Sequence, residues 1–341
     1  MNVLMTNQTG IRGLVMVVCA SLILPLLSVQ SKSESGTIPI RARTIENFKV
    51  GSNHKRFGSL EFVGGLELVS SSNSLGAMSS IRVSADRQHF LGVMDTGFWY
   101  AGRIIRDNQG VPTGIDDFSV GPILGAAGTG GNEKWLVDAE SLDIRGGDVF
   151  VGFERDHRID VYPAENPAES RPVRSIPILI PKRELRSNRG LEMISAAPVD
   201  GPLKGALVAV SEKSLNAAGN IFAAVLEGPR KGIFYVKRQP PFDVTDGDFL
   251  PNGDLLLLER RFSIASGVGM RIRRIKGDDI KPGQTVDGEV LIDTDFGYQI
   301  DNMEGLDVTI GADGNTYLTL ISDDNHSILQ RNLLLEFRLV D

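Results

Sequence analysis

Carboxylates recur along this chain at two fixed places in a repeated pattern, and their type and spacing are the first sign of chemistry. One series, Glu140, Glu192, Asp246 and Glu304, starts a short apolar strand, with Ser79 at the corresponding place in the first repeat. The other, Asp95, Glu154, Glu212, Glu259 and Asp323, ends the strand that follows. If the repeats stand around a common axis, equivalent positions converge although they are far apart in the chain. Carboxylates packed together repel, which raises their pKa values or demands a cation. An oxygen-only donor set suits Ca²⁺, or Mg²⁺, rather than zinc or copper. The candidate metal ligands are therefore Glu140, Glu154, Glu192, Glu212, Asp246, Glu259, Glu304 and Asp323. A plainer reading of any single one is a turn cap, or a partner for Arg155, Arg189, Arg260 or Arg261.

Arginine stands beside these acids. Arg155 follows Glu154, and Arg260-Arg261 follow Glu259. Guanidinium forks match phosphate and carboxylate oxygens in pairs, so a cation with arginines alongside suits an anionic substrate. The plainer reading is that the arginines only neutralise the acids. His157, in ERDH, and His326, in DDNHS, lie next to acidic strand ends and could serve as general acid or base. The candidate catalytic set is Glu192, His157, Arg155 and Arg260.

The elements that must position these side chains repeat as well. Five segments superpose, beginning AMSSIRVSADRQHFLGVMDTG, VDAESLDIRGGDVFVGFERDH, NRGLEMISAAPVDGPLKGALVAVSEKS, VTDGDFLPNGDLLLLERRFS and DNMEGLDVTIGADGNTYLTLISDDN. Each has a short strand, a turn and a strongly apolar strand that runs up to its acid. Gly146-Gly147, Asn252-Gly253 and Asp313-Gly314 suit tight hairpin turns. The second strands, such as DVFVGF and DLLLLE, read as nearly continuous apolar runs covered on both faces. These features predict an all-β chain forming one β-propeller over residues 56–341. Six blades are expected, with GSLEFVGGLELVS supplying the sixth and the C-terminal LLLEFRLVD closing it by pairing of N- and C-terminal strands. Closure removes exposed sheet edges. A β-sandwich array is the structural alternative.

Composition sets the boundaries. Of 341 residues, 41% are hydrophobic and 38 are Gly, enough to bury a core and turn often. A net charge of -7 leaves no footprint for nucleic acid, which requires clustered Lys and Arg. Arg12 precedes an apolar run, Gly13 to Val29, broken by Pro25 and followed by polar QSKSESG. That is the pattern of a secretory signal over residues 1–30, with an uncleaved membrane anchor as the alternative, and residues 31–55 read as a linker. The single cysteine, Cys19, lies inside the signal, so the mature chain has no thiol for disulfides or zinc. The expectation is a periplasmic or secreted bacterial monomer. G-x-S-x-G, H-E-x-x-H and G-x-x-x-x-G-K-[ST] are all absent.

The succession DAESLDI…GFERDHRI, NRGLEMIS…VSEKS, DGDFLPNGDLLLLERRFS and DNMEGLDV…ISDDN resembles the phytase-like family, described as having esterase-like activity of phytase. The resemblance runs from about Phe57 to the C-terminus. It implies a propeller fold, export in bacteria and hydrolysis of ester or phosphoester bonds. The chain departs from the family where a glycine-rich stretch is expected and GAMSS, without an acid, is found around Ser79. The leading expectation is a metal-dependent esterase or phosphoesterase acting on a small anionic ester. The alternatives are a gluconolactonase-like lactonase and a non-catalytic binding propeller stapled by a structural Ca²⁺.

Overall fold

The computed structural model describes residues 36–128, 137–185, 190–263 and 267–340. The expected signal over 1–30 and Arg189 lie outside the described residues. Among the described residues, no helix is long and apolar enough to cross a membrane. Strands dominate the described residues, with short 3-10 turns at Pro167–Glu169 and Gly277–Asp279.

The strands form five sheets, each beginning on an inner strand and antiparallel except for a short parallel pairing of Thr285–Val286 at the outer edge of one of them. The inner strands are Met78–Val83, Ala139–Arg145, Leu191–Ala196, Asp243–Phe249 and Asn302–Ile310. They head blades 1 to 5 in chain order. Each inner strand packs against that of the next blade, and blade 5 returns to blade 1, so the five form a ring. This is a five-bladed β-propeller.

The expected sixth blade does not form. Leu60–Val69, assigned to it from sequence, lies within blade 5, antiparallel to the C-terminal strand Asn332–Leu339. The strand Arg41–Ile45 adds to the other side of Leu60–Val69, and Gly36–Thr37 adds to the outer edge of blade 1. Part of the expected linker is thus sheet.

The apolar runs are explained by the stacking of blades. Leu255 and Leu257 enter the core between blades 3 and 4, whereas Leu256 and Leu258, on the opposite face, enter the core between blades 4 and 5. Val149 and Val151 likewise face blade 1, while Phe150 faces blade 3. A strand buried on both faces loses the apolar-polar alternation of a half-exposed one. The contact between blades 5 and 1 has its own apolar core around Leu66, Leu334, Ile81 and Phe118. It also carries a bidentate ion pair from Arg106 to the fully buried Glu336, at 2.7 and 2.8 Å.

Candidate functional site

In every blade the pairing of the inner strand slips by one residue, leaving one residue unpaired. Ala139 pairs with Phe153 and Ser141 with Gly152, so Glu140 is skipped. The same slip skips Ser79, Glu192, Thr245 and Glu304. An extra residue of this kind bends the strand and re-aims a side chain, here toward the axis. The residue that follows the pairing partner on the second strand is Asp95, Glu154, Glu212, Arg260 or Asp323 in blades 1 to 5.

All of these residues except Thr245, whose Oγ1 donates to Met303 O, line one cavity of about 170 Å³, together with Asn325. Among the described residues, seven carboxylates, Asp95, Glu140, Glu154, Glu192, Glu212, Glu304 and Asp323, share it with one cation, Arg260. Several are held in place. Gly190 N–H donates to Glu154 Oε1 at 2.7 Å, and Asn325 N–H donates to Asp323 Oδ1 at 2.9 Å. Arg260 Nη1 meets Glu304 Oε1 at 2.8 Å, and Asn302 Nδ2 donates to the same oxygen at 2.7 Å.

Crowding of like charge in a desolvated space penalises ionisation. Burial, reinforced by Glu140, Glu212, Glu154 and Glu304, holds the Glu192 carboxyl well above the usual range. Burial and then Asp138 and Asp95 do the same for Glu140. Glu154 is pushed up to about 7 by burial, against the Gly190 hydrogen bond. Glu304 is also raised to about 7 by burial, with Arg260 opposing, and Asp323 to about 6, again mainly by burial. Burial lowers the Arg260 pKa, but Glu304, Glu192, Glu212 and Glu140 outweigh it and raise the net value.

Carboxylate oxygens of Asp138, Glu140 and Glu154 lie within 4.8 Å of one another, so this triad could hold a metal ion. The donors are all oxygen and mutually repelling, which fits a hard divalent cation that takes oxygen ligands.

The family comparison agrees with the geometry: the description "Phytase-like: Esterase-like activity of phytase" matches residues 73–326. The chain belongs to the phytase-like family. No curated protein matches it. Similar solved structures include an endo-arabinase from Bacteroides thetaiotaomicron, at 10% identity and a TM-score of 0.47, covering 76% of this chain and 93% of that one. A 6-phosphogluconolactonase-like protein from Bacteroides fragilis has 12% identity and a TM-score of 0.39, over 85% of this chain and 93% of that one.

In this phytase-like chain the cavity gathers six of the eight expected metal ligands, Glu140, Glu154, Glu192, Glu212, Glu304 and Asp323, with Arg260. Asp246 and Glu259 are corrections. Both are one residue out of register in blade 4, where the slip falls at Thr245 and brings Arg260 to the cavity instead. Glu259 is paired with the fully buried Arg273, whose Nε lies 2.9 Å away. Asp246 accepts from Ser80 Oγ and Leu306 N–H, each at 3.0 Å, deeper along the axis.

Arg155 and His157 do not line the cavity either. Arg155 Nε bonds Asp138, which fits the neutralising role, and His157 is buried behind Gly190 and Glu154.

Three residues went unnoticed in the sequence. Asp138 could have been found from its place two residues before Glu140, just ahead of the strand that begins at Ala139. Thr245 could have been found from the acid three residues on: Asp143, Asp248 and Asp307 align only if Thr245 matches Glu140 and Glu304. Arg82 carried no signal. It sits at that same third place in blade 1 and bonds Ile81 O, Ile194 O, Gly247 O and Leu306 O, with Asp143 Oδ1 3.6 Å from its Nε. One buried guanidinium thus touches all five blades.

Proposed function

We propose that this phytase-like propeller is a metal-dependent hydrolase of a small anionic ester or phosphoester, with Ca²⁺ as its cation. The observation that supports this most directly is the convergence of seven carboxylates and one arginine on a single cavity, through the same slip in five blades. Asp138, Glu140 and Glu154 would hold the ion, with Glu192 and Glu304 facing it from blades 3 and 5. Bound there, a divalent cation supplies charge to an ester oxygen and a water of lowered pKa. Arg260, oriented by Glu304 and Asn302, binds the substrate anion. Glu192, whose carboxyl burial and its acidic neighbours hold well above the usual range, would move a proton at the leaving-group oxygen. Export to the periplasm or medium belongs to the same proposal and rests on the apolar run Gly13 to Val29.

The test is hydrolysis of an aryl phosphomonoester and an aryl carboxylic ester before EDTA, after EDTA, and after Ca²⁺ is restored. Activity should disappear and return, and Glu192→Gln should abolish turnover while leaving calcium binding measurable. Turnover indifferent to both chelation and Glu192→Gln would sink the mechanism. Opening of a sugar lactone with no action on either ester would point to a lactonase. A Ca²⁺-dependent rise in melting temperature without any turnover would point to a binding propeller.

A further inference from the structure

A second hollow, of about 670 Å³, opens at the other end of the axis. The acid cavity lies where the inner strands start, and this bay lies toward their ends, three residues or about 10 Å further on. Phe90, Leu91, Ile144, Pro198, Phe249 and Val308 give it an apolar collar. Its volume and walls are those of a small-molecule site. The charged side chains below the collar are Asp143, Asp248, Asp307 and Arg82, while His89 is turned to Asp86, 3.0 Å away.

Arg82 spends its donors elsewhere. Both of its Nη atoms bond backbone carbonyls, and the oxygens of Asp246 and Asp143 stand off at 3.5 and 3.6 Å. The aspartates stitch neighbouring blades: Asp248 accepts the Val308 N–H at 2.8 Å, Asp143 that of Ala196 and Asp307 that of Val83. Both oxygens of Asp248 are used, since Oδ1 also accepts from Ser195 Oγ at 2.6 Å. The other two acids differ. Asp143 and Asp307 are 6% and 3% exposed, and Oδ2 of each has no hydrogen-bond partner. A buried carboxylate oxygen without a donor is costly, so it marks a place where a donor belongs. Burial accordingly raises Asp143 to about 6 and holds Asp307 well above the usual carboxylate range. A bare metal ion is the poorer fit: among the described residues, the acids gathered closely enough for one are Asp138, Glu140 and Glu154, around the start of blade 2.

We propose that this bay binds a small organic cation, a primary or secondary ammonium carried on an apolar body. The ammonium donates to Asp143 and Asp307, and the body lies against the collar. Carboxylates in excess of one committed guanidinium set the sign of the ligand. The inference stands apart from the hydrolase reading of the acid cavity.

The experiment is calorimetric titration of the full chain with phenethylammonium, and with phenethyl alcohol and phenylacetate as neutral and anionic probes of similar size. The ammonium should bind, and the other two should bind about 10-fold more weakly or worse. Asp143→Asn, which keeps the shape of the side chain, should weaken the ammonium about 10-fold or more. Ile144→Lys should do the same by placing a like charge at an exposed position of the collar, where folding is spared. Glu192→Gln, in the acid cavity, should leave the affinity unchanged. Loss of binding in Glu192→Gln with none in the two bay variants would put the amine among the seven carboxylates and overturn the inference. Equal affinity for the three probes, or no binding of the ammonium by the unaltered protein, would overturn it too.

Discussion

Arg260 Nη1 lies 2.8 Å from Glu304 Oε1, and Arg260 occupies in blade 4 the position at which the other four blades place a carboxylate. The ring is therefore lopsided, with its one cation beside the bulged glutamate of blade 5. Replacing Arg260 with Met should tighten Ca²⁺ binding, because Glu304 loses a competing cation, yet lower turnover about 100-fold or more. Calorimetry for the ion and initial rates for the ester check the two effects separately. Weaker ion binding would contradict the assigned role.

Glu154 and Glu304 titrate near 7 in the folded chain, against an ordinary glutamate value of 4.5. Between these values the native state binds more protons than the unfolded state, so stability is lost as pH rises from about 4.5 through 7. The metal-free protein should melt several degrees lower at pH 8 than at pH 5. Millimolar Ca²⁺ should remove most of that difference. Melting curves across pH, with and without EDTA, give the answer, and a metal-free protein more stable at pH 8 would refute it.

Arg82 is raised above the ordinary arginine value: burial works against it, but Asp246, Asp248, Asp143 and Asp307 prevail. Its loss leaves those acids buried and without their shared cation. Arg82→Met should cost about 3–5 kcal/mol in urea unfolding, the range for breaking a buried ion pair. Adding Asp246→Asn should recover part of the loss, since it removes one of the stranded charges. Additive losses would mean that the two residues are not coupled.

Gly190 lies against Glu154, and a Cβ there would come within 2.8 Å of Glu154 Cγ and 3.0 Å of the His157 ring. Gly190→Ala should displace the Glu154 carboxylate and weaken Ca²⁺ binding about 10-fold, with a smaller effect on melting. An unchanged dissociation constant would remove Glu154 from the ion site.

Much of the site was legible in the acids themselves. Glu140, Glu192 and Glu304 each open a repeat, and Glu154, Glu212 and Asp323 each close the next strand, so their convergence followed from the repeat alone. Blade 4 was misread because Asp246 and Glu259 are acids next to the correct positions, and residue type outweighed register. A one-residue slip sends a side chain to another face. The blade count failed for a related reason: Leu60–Val69 has the pattern of an inner-blade strand, and any central strand of a propeller has it.

By itself, the sequence determined the all-β class, the five-fold hairpin repeat, the family and most of the acid series. Turn chemistry and doubly buried strands are local properties that survive in the order of residues. Only the tertiary structure decided that there are five blades, that Leu60–Val69 lies within blade 5 instead of a sixth, and that Thr245 and Arg260 stand where two acids were expected. It also decided that Arg82 pins the axis. These outcomes depend on which strand pairs with which and where the pairing slips, and such contacts join residues more than a hundred positions apart, as in the bond from Arg82 to Ile194 O.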